Sequence, residues 1–300
     1  MAFIHKYSTI SNGDTFKTGT LNNSTGNNII YPDYKKTIPG VNLRRMSAIV
    51  KMGLANTIKC INGKKIDAVV VGTGLGSIHH TELFLSSFVN TEQSILSPTP
   101  FINSVHNTIS GEIALHTKNQ GYNATYSQGG LSFEGALLDA ILLTKENKNV
   151  IVGGVDESTP ILESILINMR SKRLFTSGSS FFHLSPDKKN SLAEVTNCTI
   201  TKRRKLISLL DSFNYNPLKD FILSGHSTCN YTNNLKTLNY SNYSGVYMTN
   251  SSYGLQLAVE ILNTTDIADL DGYTFPEKLK RIFIINHSSN HDIGVVIIKK

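Results

Sequence analysis

Apolar positions along the first half of this chain follow two alternating rhythms. Over residues 43–60, Leu43, Met46, Val50, Leu54 and Ile58 recur at three- and four-residue spacing, with Arg44, Arg45 and Lys51 off that stripe. The spacing predicts an amphipathic helix. Asp67-Ala-Val-Val-Val71 is instead a short unbroken apolar run entering Gly72-Thr-Gly-Leu-Gly76. It predicts a strand covered on both faces. Helical spacing returns after His79 and His80, with Leu83, Phe84 and Phe88, and again over 110–117 before Gly121. Residues 122–126 predict a short extended run. Residues 131–143 are apolar nearly all round and predict a buried helix, 149–152 a second buried strand, and 161–167 a further helix. Strand and helix alternating in this way are the mark of a layered α/β domain.

The second half repeats that grammar more loosely. Residues 180–184 and 194–200 predict paired strands, 205–213 a helix, and 221–224 a strand entering Gly225-His-Ser-Thr228. Leu255, Ala258, Val259 and Leu262 mark one side of a helix over 251–262. Residues 282–285 and 293–298 predict strands around a polar loop. Residues 1–40, rich in Asn, Thr and Gly, predict short strands and loops. Two α/β halves of similar size, 1–160 and 161–300, with no linker between them, predict one duplicated, tightly packed architecture.

Composition narrows the chemistry. The 300 residues are 40% hydrophobic and 17% charged, as in a soluble globular chain, and no apolar run reaches the length of a membrane span. No signal-peptide pattern opens the sequence, so a cytoplasmic location is expected. Cys60, Cys198 and Cys229 are odd in number, widely spaced and without a CxxC pair, which argues against a disulfide framework or a zinc site. Adjacent histidines on a helix point different ways, so His79 and His80 do not form a metal pair. Gly72–Gly76 is not a GxGxxG fingerprint, and no cofactor is expected. The net charge of +7 favours an acidic partner. Basic residues are scattered apart from the run at 202–205 and lack interleaved aromatics, so nucleic acid is not expected.

The stretch with most chemical promise is Tyr126-Ser127-Gln128-Gly129-Gly130-Leu131. An extended run meets a glycine-bearing corner, and a long helix follows. Such a corner holds one side chain at a helix N-terminus, where a nucleophile is activated.

Several segments resemble the β-ketoacyl-ACP synthases: Asn107-Thr-Ile-Ser-Gly111 through Gly121, then Ser127-Gln-Gly-Gly130 and its helix, then Val150-Ile-Val-Gly-Gly-Val-Asp156-Glu157. Leu43-Arg-Arg-Met46, Lys51-Met-Gly53 and Gly72–Gly76 are similar to the same family. The similarity is strongest to a short branch that accompanies aryl-polyene, flexirubin and dialkylresorcinol pigment clusters. The resemblance implies the thiolase-like fold, two similar halves forming a five-layered αβαβα sandwich, usually dimeric. It also implies a catalytic Cys at the corner, aided by two His, or a His and an Asn, from the second half. Here Ser127 matches the Cys position to within one residue, leaving Tyr126 and Gln128 as alternatives. Gln128 is notable because chain-length-factor subunits, the inactive partners in some ketosynthase heterodimers, often carry Gln near this corner. Tyr126, Gln128 and Phe133 are expected to contact substrate. His226, in His226-Ser-Thr-Cys-Asn230, either matches the first histidine motif or is a chance match in a shortened loop. Val246 stands near the second histidine position.

A serine needs a base within hydrogen-bond reach, and the candidates are His226 and His106. The expectation is that Ser127 caps the helix, and that His106 and the pair Asp156-Glu157 serve structure. The resemblance then implies a non-catalytic, chain-length-factor-like subunit. It would pair with an active ketosynthase, or with itself, and work with an acyl carrier protein. The alternative is an active 3-oxoacyl-ACP synthase or acyltransferase using Ser127 with His226. Residues 99–102 and 122–126 are expected at the dimer interface.

Overall fold

In the computed structural model, the described residues are 1–12, 15–16, 29–40, 43–61, 65–89, 97–169, 175–225, 235, 237–264, 275–288 and 291–300. In chain order the elements are β1 (Ala2–Ile10), α1 (Tyr34–Thr37), α2 (Ala48–Ile61), β2 (Ala68–Gly72), α3 (Ile78–Val89), α4 (Pro98–Ser104), α5 (Thr108–Thr117) and β3 (Tyr122–Tyr126). They continue with α6 (Ser132–Lys145), β4 (Val150–Asp156), α7 (Pro160–Asn168), β5 (Gly178–Ser185), β6 (Ala193–Lys202), α8 (Leu206–Ser212) and β7 (Asp220–Ser224). The last are β8 (Thr237–Asn239), α9 (Ser241–Ser244), α10 (Ser251–Asn263), β9 (Arg281–His287) and β10 (Asp292–Lys299).

The strands lie in the order β3-β2-β4-β5-β1-β6-β10-β9-β7-β8. Within it one pattern occurs twice. β2 pairs in parallel with β3 and β4, β4 antiparallel with β5, and β5 antiparallel with β1. β7 likewise pairs in parallel with β8 and β9, β9 antiparallel with β10, and β10 antiparallel with β6. The two sets join through a short antiparallel pairing of β1 with β6.

Helices α6 and α10 lie between the sets. α6 packs on β2 and β4 and reaches β6, while α10 packs on β9 and reaches β5. Phe133, Ala136, Leu137, Leu255, Ala258, Phe182, Leu223 and Ile284 form this central core. Helices α2 and α5 cover the outer face of the first set, through Ile49, Met52, Leu54, Ile109 and Ile113 against Val69, Val71, Ile151 and Phe181. Leu206 and Leu210 of α8 cover the outer face of the second, against Ile222, Phe283 and Val295. The result is the expected five-layered αβαβα sandwich.

Three local expectations change. The helix expected over 43–60 breaks at Met46 into a single 3-10 turn, Leu43–Arg45, and α2, where the Ser47 hydroxyl accepts the Val50 N–H at 3.3 Å. Residues 180–184 and 194–200 do form strands, but not with each other. β5 fills the place between β4 and β1, and β6 pairs with β10 and β1. The first strand set therefore includes β5 and closes at Ser185. The polar N-terminus supplies a nine-residue strand at the centre of the molecule rather than short strands and loops.

Candidate functional site

The corner forms because β2 and β3 end together. Gly72 pairs with Tyr126, and the Thr73 N–H donates to the Tyr126 carbonyl at 3.0 Å. Beyond Tyr126 the chain makes a 3-10 turn, Gly129–Leu131, before α6 begins. The residue that turns the chain is Gly129, at φ +59°. This left-handed backbone suits glycine because an L side chain there clashes with its own carbonyl. A Cβ built on Gly129 would meet nothing within 4 Å. The reactive side chain of a strand-to-helix elbow sits at the strained residue, and here that residue carries none.

Ser127 is exposed and does not cap the helix. Ser132 braces the corner instead: its hydroxyl accepts the Gln128 N–H at 2.7 Å and donates to the Gly129 carbonyl at 2.8 Å. The Gln128 side chain lies over Gly135 beside the Tyr126 ring. Tyr122 and Tyr126 on β3 face the Asp139 carboxylate on α6. Asp139, with burial, raises the Tyr122 phenol to about 12, and burial, with Asp139, raises that of Tyr126. Phe133 is fully buried in the central core, its ring 6.0 Å from that of Phe182. The structure thus places it as a packing residue rather than a substrate contact. His226 lies outside the described residues. His106 is exposed, with its ring against Gly76.

From the second half, two side chains that the sequence reading passed over reach the corner. Met248 packs against Gly74, where an added Cβ would lie 2.2 Å from the Met248 Cβ and 3.3 Å from the Gly129 carbonyl oxygen. Val246, expected near this place, instead gives its carbonyl to the Thr176 N–H at 2.7 Å. The Asn286 amide donates to the Gly130 carbonyl at 2.6 Å and to Glu134 Oε1 at 2.9 Å. Glu134 stands one turn into α6 and is 1% exposed. Burial raises its carboxyl to about 7, opposed by hydrogen bonds from Ser251 and Asn286. It was legible only as a charge in the first turn of a mostly apolar helix.

A second strut mirrors this one. Asp156, at the end of β4, accepts from the Thr73 hydroxyl (3.1 Å), the Gly74 N–H (2.7 Å), and the Thr249 N–H (2.8 Å) and hydroxyl (2.7 Å). It therefore fastens the loop after β2 to the turn before α10. Nearby, the Ser77 hydroxyl donates to Glu157 at 3.3 Å and lies 3.1 Å from His80 Nδ1. Ser77 is 1% exposed, so this Ser–His–Glu grouping is closed to substrate. Cys60 and Cys198 are buried, and burial raises both thiols, which keeps them protonated and inert.

Residues 24–165 match the family described as "Beta-ketoacyl synthase, N-terminal domain". Solved structures extend the likeness over the whole chain. One, a ketosynthase of a type II PKS in complex with its acyl-carrier protein (AntDE:AntF), superposes at a TM-score of 0.79, with 12% identity over 99% of both chains. The chain has the ketosynthase fold. The ishigamide ketosynthase/chain length factor shares it at a TM-score of 0.76, 12% identity and 99% coverage of each chain. A ketosynthase (ApeO) in complex with its chain length factor (ApeC) from Xenorhabdus doucetiae superposes at 0.63, with 13% identity over 100% of this chain and 99% of that one. No curated protein matches in sequence. Among the described residues of this ketosynthase-like chain, no helix is long and apolar enough to cross a membrane.

Proposed function

We propose that this chain is a non-catalytic, chain-length-factor-like subunit that pairs with an active ketosynthase in the cytoplasm. Together they would act on acyl chains carried by an acyl carrier protein, in a polyketide- or fatty-acid-type pathway of the aryl-polyene, flexirubin or dialkylresorcinol pigment kind. One observation carries the reading: the residue at the turn of the elbow is Gly129, at φ +59° with open space in front of it. A condensing reaction needs a nucleophile there to take the acyl group. From the second half the corner meets Met248, which cannot move a proton, and an Asn286 amide already engaged with the backbone.

The partner face in this reading is the outer edge of β3, which among the described residues pairs with β2 alone, together with exposed Phe101 and Ile102 of α4. An edge strand with a free side and exposed apolar side chains are each templates for a second chain. The test is co-expression with the ketosynthase encoded nearest to it, followed by size-exclusion chromatography and intact-mass measurement after incubation with acyl-ACP. A stable complex is expected, with the acyl group on the partner alone, and Phe101→Asp with Ile102→Asp should weaken association at least tenfold. An acyl adduct on this chain that disappears in Ser127→Ala overturns the reading in favour of an active acyltransferase. A chain that forms only homodimers overturns it too.

A further inference from the structure

The second strand set carries a basic run close to the corner. Lys202, Arg203, Arg204 and Lys205 span the end of β6 and the 3-10 turn Arg203–Lys205 that leads into α8. We infer that this run, with exposed Ile200 before it and exposed Ile207 after it, docks an acidic protein beside the elbow. The choice of partner rests on the reading above, in which that protein is the acyl carrier protein.

Sheet register fixes the place. Lys202 pairs with Asp292 of β10, and the next residue, Ile293, pairs with His287 of β9. Asn286, which holds the Gly130 carbonyl, immediately precedes His287. The run therefore starts two strands away from the one that braces the corner, about 10 Å at ordinary strand spacing. Ile200 pairs with Gly294, where an added Cβ would lie 2.4 Å from Glu134 Cγ. Cys198, two residues before Ile200, donates its thiol to the Glu134 carbonyl at 3.6 Å. Cross-strand partners, and residues two apart on a strand, share a face. Ile200 thus lies on the face turned to the start of α6, and yet it is 37% exposed.

Charge supplies the chemistry. No Asp or Glu occurs from Val195 to Leu210. Lys202 is ion-paired with Asp292 at 2.7 Å, whereas Arg203, Arg204 and Lys205 have no ion pair among the described residues. Arg204 and Lys205 are exposed, and the buried Nε of half-buried Arg203 has no hydrogen-bond partner. The next acid along the chain, Asp211, stands at the far end of α8. Folding gains nothing from this arrangement, because adjacent cations repel and the N-terminal end of a helix disfavours positive charge. An uncompensated run at that end suits an acidic partner. Ile200 and Ile207 add apolar area within a basic rim, the layout of a protein interface. Nucleic acid would call for stacking aromatics, and none interleaves with the run.

Fluorescence anisotropy of the labelled acyl carrier protein encoded nearest to this chain, titrated with the full chain alone, tests the inference. Saturable binding that weakens as salt is raised is expected. Arg204→Glu with Lys205→Glu should weaken it at least tenfold, and Ile207→Asp several-fold. Lys188→Glu with Lys189→Glu, exposed before the opposite end of β6, should leave it unchanged. Matching thermal melts would confirm that all variants are folded. The absence of carrier binding overturns the inference, as does equal weakening by the two charge reversals, which would mark diffuse surface charge. So does binding of single-stranded DNA or phosphatidylglycerol vesicles in place of the carrier. Size-exclusion chromatography with the ketosynthase reads the pairing separately. Carrier binding lost with Arg204→Glu and Lys205→Glu supports the docking surface even if no heterodimer forms. A heterodimer whose carrier binding ignores those substitutions removes the docking surface and leaves the pairing.

Discussion

The two strand sets share one connectivity, yet they hold each other by different chemistry. At the end of β4, Asp156 ties the loop after β2 to the turn before α10, its Oδ1 accepting from Thr73 and Gly74 and its Oδ2 accepting twice from Thr249. At the corresponding end of β9, Asn286 reaches back to the start of α6 with a neutral amide. The first strut is a fully paired carboxylate. The second leaves Glu134 Oε2 buried without a hydrogen-bond partner and relies on a carboxyl held near neutrality by burial. The difference bears on the elbow. Burial raises both carboxyls, but four donors oppose it at Asp156, which locks a loop, whereas the Asn286 side holds Gly130, the residue next to the turn, through a carboxyl with fewer partners.

The comparison breaks most visibly if the struts prove interchangeable. Removing a buried carboxylate strands four donors at once, so Asp156→Ala should lose about 3–5 kcal/mol of unfolding free energy. Asn286→Ala removes neutral bonds and should cost only about 1–3 kcal/mol. Urea unfolding of both variants at one pH measures the pair. An Asn286→Ala loss equal to that of Asp156→Ala would mean that the four hydrogen bonds to a carboxylate are not what distinguishes the two ends.

A smaller effect separates them by pH. Glu134 has an ordinary value near 4.5 and about 7 in the folded chain. Between those values the folded state holds a proton that the unfolded state has lost, so stability falls as pH rises through this window. Below about pH 4 both states are protonated and the contribution vanishes. Above about pH 8 both are ionised and the full penalty, about 3 kcal/mol, remains. Glu134→Gln keeps an oxygen for Asn286 and removes the charge. It should match the parent at pH 4 and exceed it by up to that amount at pH 8. Thermal melts across pH 4–8 check this, and parallel curves for the two proteins would place the carboxyl in a wetter site than the fold indicates.

What the residues revealed in advance follows the same division. Buried parallel strands are uniformly apolar, so β2 and β4 could be read directly from Val69–Val71 and Val150–Val152. β1 could not. Its His5, Lys6 and Tyr7 interrupt the apolar pattern because of the bulge, and its partner β5 lies far along the chain. The proximity of β5 and β6 in sequence suggested a hairpin, but strand pairing answers to the sheet and not to chain distance. The corner was visible as Gly129-Gly130, although the choice of turning residue rests on a backbone angle that no residue type announces. Ser127 drew attention as a hydroxyl near a helix start, while the bracing hydroxyl is Ser132, five residues on. Met248 and Asn286 had no signal at all, since both meet the corner only through the tertiary fold.

The smallest effect sharpens the elbow itself. Gly129→Cys puts a side chain on a left-handed backbone, at a cost of about 1 kcal/mol, with no neighbour for the Cβ to strike. A thiol there would stand at the entrance to α6, where the helix end favours the thiolate. Iodoacetamide at neutral pH should therefore add one label beyond the wild-type count, located at residue 129. Cys60 and Cys198, buried and held protonated, should stay unmodified in both proteins until they unfold. Labelling at 129 only after denaturation would show that the turn faces inward, and the absence of a side chain there would then reflect packing rather than a discarded nucleophile.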